Sequence, residues 1–530
     1  MMSERRGILK AAGVLGSATM LSRIAGMLRD MIMSRLFGAG LGTDAFFAAF
    51  QIPNMLRRFF AEGALTAAFV PTFSETLIHE GEDAARDLAN VCFSVLTVVL
   101  SFVTLLGIVF SPYIVTVMFP GFMHVPGKFE LTVLLNRIMF PYLFFVALVA
   151  LCMGILNTVR HFFMPAISTV FLNISMIGSA LILRPFFEAP ITALAVGVLL
   201  GGLIQLLLQI PVLWRFGYRI RFKLVFTDQR VRRIGLLMVP ATLGVGVYYL
   251  NITVGNILAS LLPEGSVSYL YYAQRLFEFP QGIFTVSVAQ AVLPTMSRQA
   301  AASDVAGMKD SINYGVRLTL FVTIPALMGL LACSTPLMSL LFMGGAFSYQ
   351  MAEQSAQALS CYALGLSCVA LVRVLAPAFY ALKDTKTPVL TAFVAFLVNL
   401  LASLWLMRSM LHAGLALASS LAATVNMLLL FWLLRRRIGL LGGRRIAVSA
   451  LKSFLASLPM SAVAYTLLHQ LNWQVMQHKT LYALVLLSTV ALALIVYQLT
   501  CLLLKSEEAQ ELGGILFRKL SSGRGRSITP

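Results

Sequence analysis

Charge is scarce in this chain. Only 12% of its 530 residues are Asp, Glu, Lys or Arg, about half the share of a soluble globular domain. Acids are scarcer still, with 21 Asp and Glu against 40 Lys and Arg. This shortage excludes an ordinary water-soluble enzyme and a disordered chain. Cysteine is sparse too. Cys92, Cys152, Cys333, Cys361, Cys368 and Cys501 lie in or beside apolar runs, with no CxxC or metal-ligand spacing. They read as small packing residues, not as a disulfide framework, redox pair or zinc site. The six histidines are scattered, so no metal centre is expected. The chain lacks the GxxxxGK[ST] loop of an ATP-driven pump, and it lacks GxSxG and HExxH. An enzyme acting on lipid is the rival class, but the sequence offers it no acid–base pair and no expected catalytic residue.

What is there is apolar: 59% of the residues are hydrophobic. A helix crossing the hydrocarbon core needs about 20 apolar residues, and about fourteen such stretches can be read. They lie near 8–36, 43–74, 88–119, 129–157, 162–184, 190–214, 231–261, 266–298, 312–341, 351–382, 387–408, 412–434, 447–469 and 480–504. The runs are continuous, which excludes a transmembrane β-barrel. The expectation is an all-α integral membrane protein.

The net charge of +19 could suggest nucleic acid, but its placement says otherwise. With the N-terminus in the cytoplasm, the outer loops hold only Lys128, Arg184, Arg408 and Lys479. The inner loops include seven basic residues from Arg215 to Arg233 and five from Arg435 to Arg445. This positive-inside bias puts both termini in the cytoplasm. The functional alternative for these loops is binding of anionic headgroups or of an acidic partner. Met1 to Lys10 is charged, but no cleavable signal peptide follows, because Arg23 and Arg29 interrupt the apolar segment behind it.

The chain echoes itself. Ala68 to Ser74 reads AFVPTFS, and Ala291 to Ser297, 223 residues later, reads AVLPTMS. The same offset carries Val146-Ala147-Leu148 onto Val369-Ala370-Leu371, and Pro165 onto Pro388. An even number of spans separates the copies, so both keep one orientation. The expected organisation is a six-helix bundle over 1–222, a second over 223–440, two further helices over 441–504 and a cytoplasmic tail over 505–530. Parallel repeats of this kind occur in transporters.

Ten basic residues remain inside or at the edges of spans: Arg23, Arg29, Arg35, Arg57, Arg58, Arg137, Arg275, Arg317, Arg373 and Lys452. Only Asp30, Asp44, Glu62 and Glu278 accompany them. A charge at the bilayer centre costs about 2.5–3.5 kcal/mol on insertion scales, so such residues face a partner or a wet cavity. Helical spacing pairs Arg58 with Glu62 and Arg275 with Glu278. Arg23 and Asp30, seven apart, share a face from which Arg29 points away. Arg35, Arg317 and Lys452 lie near span ends and are expected to snorkel to the interface. Arg137 and Arg373 fit either reading. Arg23, Arg29, Arg57 and Arg275 are the candidate cavity residues. A guanidinium fork matches paired phosphate oxygens, so a surplus of arginine over acid describes a receptor for a strongly anionic group such as a diphosphate. Pro53, Pro71, Pro141, Pro240, Pro280, Pro294, Pro325 and Pro377 punctuate the spans and bend helices.

Several stretches closely resemble the MurJ (MviN) family of lipid II flippases. They are Met20-Leu21-Ser22-Arg23-Ile24-Ala25-Gly26-Met27-Leu28-Arg29-Asp30, Thr43-Asp44-Ala45-Phe46-Phe47, and the run from Pro53 to Ala64 that reads PNMLRRFFAEGA. Phe69-Val70-Pro71, the run Tyr271 to Pro280 (YYAQRLFEFP), Leu375-Ala376-Pro377-Ala378-Phe379-Tyr380 and Lys386-Thr387-Pro388 extend the resemblance along nearly the whole chain. It weakens in the last two spans. It implies a fourteen-helix member of the multidrug/oligosaccharidyl-lipid/polysaccharide exporter superfamily that moves lipid II from the inner to the outer leaflet by alternating access. By the same resemblance Arg23, Arg29, Arg57 and Arg275 bind the diphosphate in a cavity between helices 1, 2 and 8. Asp30, Asp44, Arg58, Glu62, Glu278 and Arg373 are supporting or gating charges, and the last two helices form a groove for the isoprenoid tail. Gln51 stands where some members carry lysine, and Gln274 where some carry aspartate.

The expectation is therefore a non-enzymatic flippase of the bacterial cytoplasmic membrane, with no cofactor, energised by the membrane potential or a monovalent cation. Its partners are lipid II, membrane lipids and other cell-wall synthesis proteins, not nucleic acid. The alternatives are a flippase for another polyprenyl-diphosphate glycan, such as an O-antigen or capsule unit, and a non-transporting scaffold of wall-synthesis enzymes. A cation-coupled drug exporter would call for a surplus of acids instead.

Overall fold

The computed structural model describes residues 2–57, 65–282, 286–476 and 478–511. Among the described residues there are eighteen α-helices and no β-sheet, only an isolated bridge between Gly344 and Phe347. In the first half these are α1 (Met2–Phe37), α2 (Leu41–Arg57), α3 (Leu65–His79), α4 (Glu82–Val109), α5 (Ser111–Met118), α6 (Lys128–Met139), α7 (Tyr142–Thr158), α8 (Phe163–Ile182) and α9 (Thr192–Arg215). There follow α10 (Gln229–Ser260), α11 (Ser266–Pro280), α12 (Val286–Ala301), α13 (Val305–Phe342), α14 (Tyr349–Leu364), α15 (Leu366–Ala381), α16 (Lys386–Ile438), α17 (Gly443–His469) and α18 (Lys479–Leu503).

Eight stretches of described helix, or nine if the bent pair α14 and α15 is one span, are long and apolar enough to cross a membrane. The difference from the fourteen stretches of the sequence has identifiable causes. Helix α16 runs 53 residues, about 80 Å at 1.5 Å per residue, which is two crossings. Its ladder breaks at Leu411, where φ is 51° and ψ −130°. The 351–382 stretch divides into α14 and α15, and the 43–74 and 266–298 stretches are described only on either side of 58–64 and 283–285, as α2 with α3 and α11 with α12.

The offset of 223 seen in the sequence runs through the whole helix list. Added to the first residue of α4 it reaches 305, the first residue of α13, and added to the first residue of α8 it reaches 386, the first residue of α16. Helices α7 and α15, α2 and α11, and α3 and α12 correspond within two residues at each end. Pro165 and Pro388 both stand at the third position of their helices, in the first turn, where a missing N–H costs nothing. Pro71 and Pro294 lie inside α3 and α12.

By contacts the chain forms two compact units. The first comprises residues 1–268 with the short segment Gly344–Phe347, and the second comprises Tyr269–Met343 with Ser348–Pro530. The first unit thus continues past the end of the first repeat and takes in α10, which packs on α3 and α5. Its main core joins Phe69 and Phe73 of α3, Leu88 and Cys92 of α4, Leu151 and Ile155 of α7 and Leu213 of α9. Lipid tails are as apolar as leucine, so helices here associate by close packing. Helix α9 shows how. A Cβ at Gly197 would come within 2.9 Å of the Met176 backbone of α8, and one at Gly202 within 2.7 Å of the Tyr142 ring. The Gly344–Phe347 segment is tied to α1, with the Ala346 N–H donating to the Arg35 carbonyl at 2.8 Å. Gly345, at φ +56°, has no room for a side chain against that carbonyl.

The second unit has two cores. One gathers Met296, Ile312, Val316, Val374, Leu375, Leu430 and Leu434. The other joins α13 to the last two helices through Phe321, Met460, Ala464, Leu486 and Tyr497. The Tyr497 hydroxyl donates to the Phe321 carbonyl at 2.6 Å. Helices α17 and α18, which lie outside the repeat, are thereby packed on α13.

Candidate anion-binding residues

Arg23 and Arg29 sit on α1, six residues apart, and their surroundings differ. Arg23 is exposed and makes no hydrogen bond or ion pair among the described residues. Arg29 is 5% exposed. Its Nε and Nη2 donate to one carboxylate oxygen of Asp30 at 3.0 and 2.7 Å, and Nη1 donates to Asn173 Oδ1 of α8 at 3.0 Å. The sequence spacing favoured Asp30 with Arg23. The structure gives Asp30 to its neighbour instead, because a long arginine stem can curl back along its own helix. Buried without that partner, both groups would be costly.

Arg57, in the last turn of α2, donates from Nε to Asn54 Oδ1 at 3.1 Å, three residues back. Arg58 and Glu62, the pair expected beside it, lie outside the described residues. In the second unit Arg275 of α11 donates from Nη2 to the Tyr271 hydroxyl at 2.9 Å, with its guanidinium 5.1 Å from the Tyr271 ring centre. Glu278 stands 3.9 Å away and is half exposed. Gln274 donates to the other Glu278 oxygen at 2.9 Å, so glutamine at this position bonds the acid that an aspartate would repel. Arg373 is exposed and donates to Gln281 Oε1 at 3.0 Å.

Asp44 has a different character. It is fully buried and its oxygens are filled. Oδ2 accepts from Lys128 Nζ and from the Gly265 N–H, each at 2.8 Å. Oδ1 accepts from the Ser268 N–H at 2.9 Å and the Ser268 hydroxyl at 2.6 Å. Asp44 therefore caps the first turn of α11. Lys128 itself is 2% exposed and lies 4.3 Å from the centre of the Phe122 ring. The sequence reading missed Lys128 as a partner and took it for an outer-loop charge. No local pattern marks it, since Asp44 lies 84 residues away. Arg317, expected to snorkel, is instead 8% exposed and pairs with Glu507 and Glu508, each at 2.6 Å. The acids that hold it come from the segment after α18, beyond the last span.

The described residues thus hold arginines bonded to neutral amides (Asn173, Asn54, Gln281), to the Tyr271 phenol and to Asp30. Among these residues no group of His, Cys, Asp and Glu could hold a metal ion. The fold defines the class first. It matches an inward-facing multidrug transporter of the exporter superfamily, with a TM-score of 0.67 at 13% identity over 82% of this chain and 99% of the other. It matches the inward closed conformation of the lipid II flippase MurJ more closely, with a TM-score of 0.76 at 26% identity over 94% and 99%. This is the architecture of a multi-pass membrane transporter. The family model for the lipid II flippase MurJ matches residues 33–484, and the chain belongs to that family. It is 39% identical to a probable lipid II flippase MurJ of Vibrio cholerae, over 80% of this chain and 82% of the relative. It is 36% identical to the Haemophilus influenzae counterpart, over 92% and 98%, and 36% identical to the Burkholderia cenocepacia lipid II flippase MurJ, over 82% and 84%.

Proposed function

We propose that this protein moves lipid II, undecaprenyl diphosphate bearing the peptidoglycan disaccharide-pentapeptide, from the inner to the outer leaflet by alternating access. No bond is made or broken. Arg23, Arg29, Arg57 and Arg275 bind the diphosphate, while the isoprenoid tail stays in lipid along α17 and α18. The chain lies in the bacterial cytoplasmic membrane with both termini in the cytoplasm, as the positive-inside bias of its loops supports. Energy comes from the membrane potential or a monovalent cation gradient. Asp30, Glu278 and Arg373 position the binding arginines, whereas Asp44 holds the start of α11.

One observation carries the reading: Arg23 is at bilayer depth by sequence, exposed, and without a carboxylate among the described residues. A cation so placed needs an external anion. The test is binding to the purified full chain in nanodiscs, comparing lipid II with undecaprenyl phosphate. Undecaprenyl phosphate lacks one phosphate together with the glycan, and the lost phosphate alone removes one fork's worth of charge-assisted bonds, about 1.5–3 kcal/mol each, so lipid II is expected to bind at least tenfold more tightly, with undecaprenyl diphosphate as the comparison that isolates the phosphate. Arg23→Ala should erase most of that preference. Equal affinity of the two lipids for the wild-type protein would reject the diphosphate-receptor reading.

A further inference from the structure

The segment between α9 and α10 has an order that translocation does not require. It leaves α9 through Gly217, at φ +85°, and runs without helix over residues 218–225. The Arg221 N–H donates to Asn90 Oδ1 at 2.8 Å, and the Lys223 N–H donates to Ser94 Oγ at 2.7 Å. Four residues of helix rise about 6 Å, and two residues of extended chain span about 6.6 Å. Matched bonds at 90 and 94 with 221 and 223 therefore place the segment extended along α4.

An extended chain presents alternate residues to opposite sides. The even row reads Tyr218, Ile220, Phe222 and Leu224, and Phe226 follows in the turn before α10. Tyr218 and Ile220 join the core of the first unit. Phe222, Leu224 and Phe226 do not; they are 70%, 43% and 56% exposed. The odd row carries Arg219, Arg221 and Lys223. Lys223 is paired with Asp87. Arg219, Arg221 and the nearby Arg215 are exposed and have no acidic partner among the described residues. Trp214 and Phe216 add exposed aromatic surface at the end of α9.

The level of this segment on α4 is informative. Below it α4 is charged, with Glu82, Asp83, Arg86 and Asp87 in its first turns. Beyond it, to Val109, no charged residue occurs, and Val99, Phe102 and Leu105 are exposed as lipid-facing side chains would be. Asn90 and Ser94 mark the change from polar to apolar. That is the depth of a bilayer interface, where aromatic side chains concentrate.

We infer that residues 214–226 form an interfacial anchor in which Phe222, Leu224 and Phe226 enter the headgroup–acyl boundary of the inner leaflet, and Arg215, Arg219 and Arg221 bind the phosphates of anionic phospholipids. The choice of leaflet rests on the cytoplasmic placement of this loop proposed above. Charge complementarity favours a lipid surface, because three guanidinium groups with no acidic partner among the described residues precede three exposed apolar side chains on a segment that runs along α4 from its polar toward its apolar part. The anchor also holds the start of α10 at a fixed depth.

The experiment uses the full chain in nanodiscs without lipid II, so its outcome is independent of the substrate. Phe226→Trp provides the depth probe, read against the wild-type emission. Quenching of the added emission by lipids brominated near the headgroup is expected. Emission quenched by aqueous acrylamide and untouched by brominated lipid would overturn the anchor and point to a soluble acidic partner instead. In a second arm, native mass spectrometry compares retained phosphatidylglycerol with phosphatidylcholine. Each basic side chain at a surface contributes about 1 kcal/mol to anionic-lipid binding, so the Arg215→Gln, Arg219→Gln, Arg221→Gln triple variant should lose at least about tenfold of the preference for phosphatidylglycerol. An unchanged preference in the triple variant also overturns the proposal. Sidedness is read separately by maleimide labelling of Ala302→Cys in oriented vesicles. Labelling from the outside would reject the inner-leaflet assignment even where the lipid contacts hold.

Discussion

Two arginines of α1 look alike in the sequence and separate once their neighbours are known. Arg23 is exposed and touches no acid among the described residues, so removing it disturbs little of the fold. Exposed substitutions of this kind shift stability by about 0.5 kcal/mol or less. Arg29 is buried against Asp30 and Asn173, and its loss strands a buried carboxylate at a cost of about 3–5 kcal/mol. Both Arg23→Ala and Arg29→Ala should abolish most headgroup translocation, read as lipid II accessible to a periplasmic probe. Only Arg29→Ala should also lower the unfolding temperature in detergent. Equal thermal stability of the two variants would contradict the contrast drawn between them. The same logic applies to Asp44 and Lys128, both buried. Each single replacement, Asp44→Asn or Lys128→Met, should destabilise by about 3–5 kcal/mol. The double variant should cost clearly less than the sum, as a double-mutant cycle would measure. Spacing rules found the arginines as residues in need of a partner. They could not find Lys128 or Asn173, because partners 84 and 144 residues distant leave no periodic trace.

Helices set the next level, and here the sequence was more legible. Every expected span is helical in its described residues, since continuous apolar runs leave no other way to satisfy backbone groups in lipid. What periodicity missed was where runs divide: α6 from α7 and α14 from α15; the break of α16 at Leu411 falls between the two stretches the sequence set apart, 387–408 and 412–434. Such breaks are settled by packing across the chain. The segment after α18 was equally illegible. It looks like a polar tail, yet Glu508 is 3% exposed, bonded to Arg317 of α13 at 2.6 Å, Ser449 of α17 at 2.9 Å and Ser506 at 2.7 Å. Burial alone would raise the Glu508 pKa. The hydrogen bonds from Ser506, the backbone, Arg317 and Ser449 outweigh it and hold the carboxyl below its usual value. A depressed acid pKa stabilises the docked segment fully above the ordinary glutamate range, about 4.3, and that contribution is lost as pH falls through the lowered pKa. Protection from hydrogen exchange over 504–511, the rate corrected for its intrinsic pH dependence, should therefore stay constant from neutral pH to about 5 and fall only below about 4. Glu508→Gln should show the faster exchange already at neutral pH. Flat exchange in that variant would mean that the acid does not hold the tail. Close approach is testable on the same scale. A Cβ at Gly197 meets the Met176 backbone at 2.9 Å, so Gly197→Val should force α8 from α9 and lower stability by about 1–3 kcal/mol, measured by thermal shift.

At the scale of the molecule, the arithmetic of charge joins the fold to an energy source. The chain carries 40 basic and 21 acidic residues, and the binding groups proposed above are arginines. A cytoplasmic membrane is negative inside. Moving a diphosphate outward down that potential is favourable, and an empty, net-cationic carrier is drawn back inward. On the proposed mechanism both halves of the cycle would run with the field, at about 2.3 kcal/mol per elementary charge carried across 100 mV. Collapsing the potential with an ionophore, with ion gradients held constant, should slow headgroup appearance outside by more than tenfold if one net charge crosses the full field. Collapsing a monovalent cation gradient at constant potential should then have a small effect. The reverse pattern would assign the work to a coupled cation, with Asp30, Glu62 or Glu278 as its acidic ligand, since Asp44 is already filled by Lys128, Gly265 and Ser268. In that case Glu278→Gln should abolish the cation dependence and spare the potential dependence, which the same two collapses, repeated on the variant, would resolve.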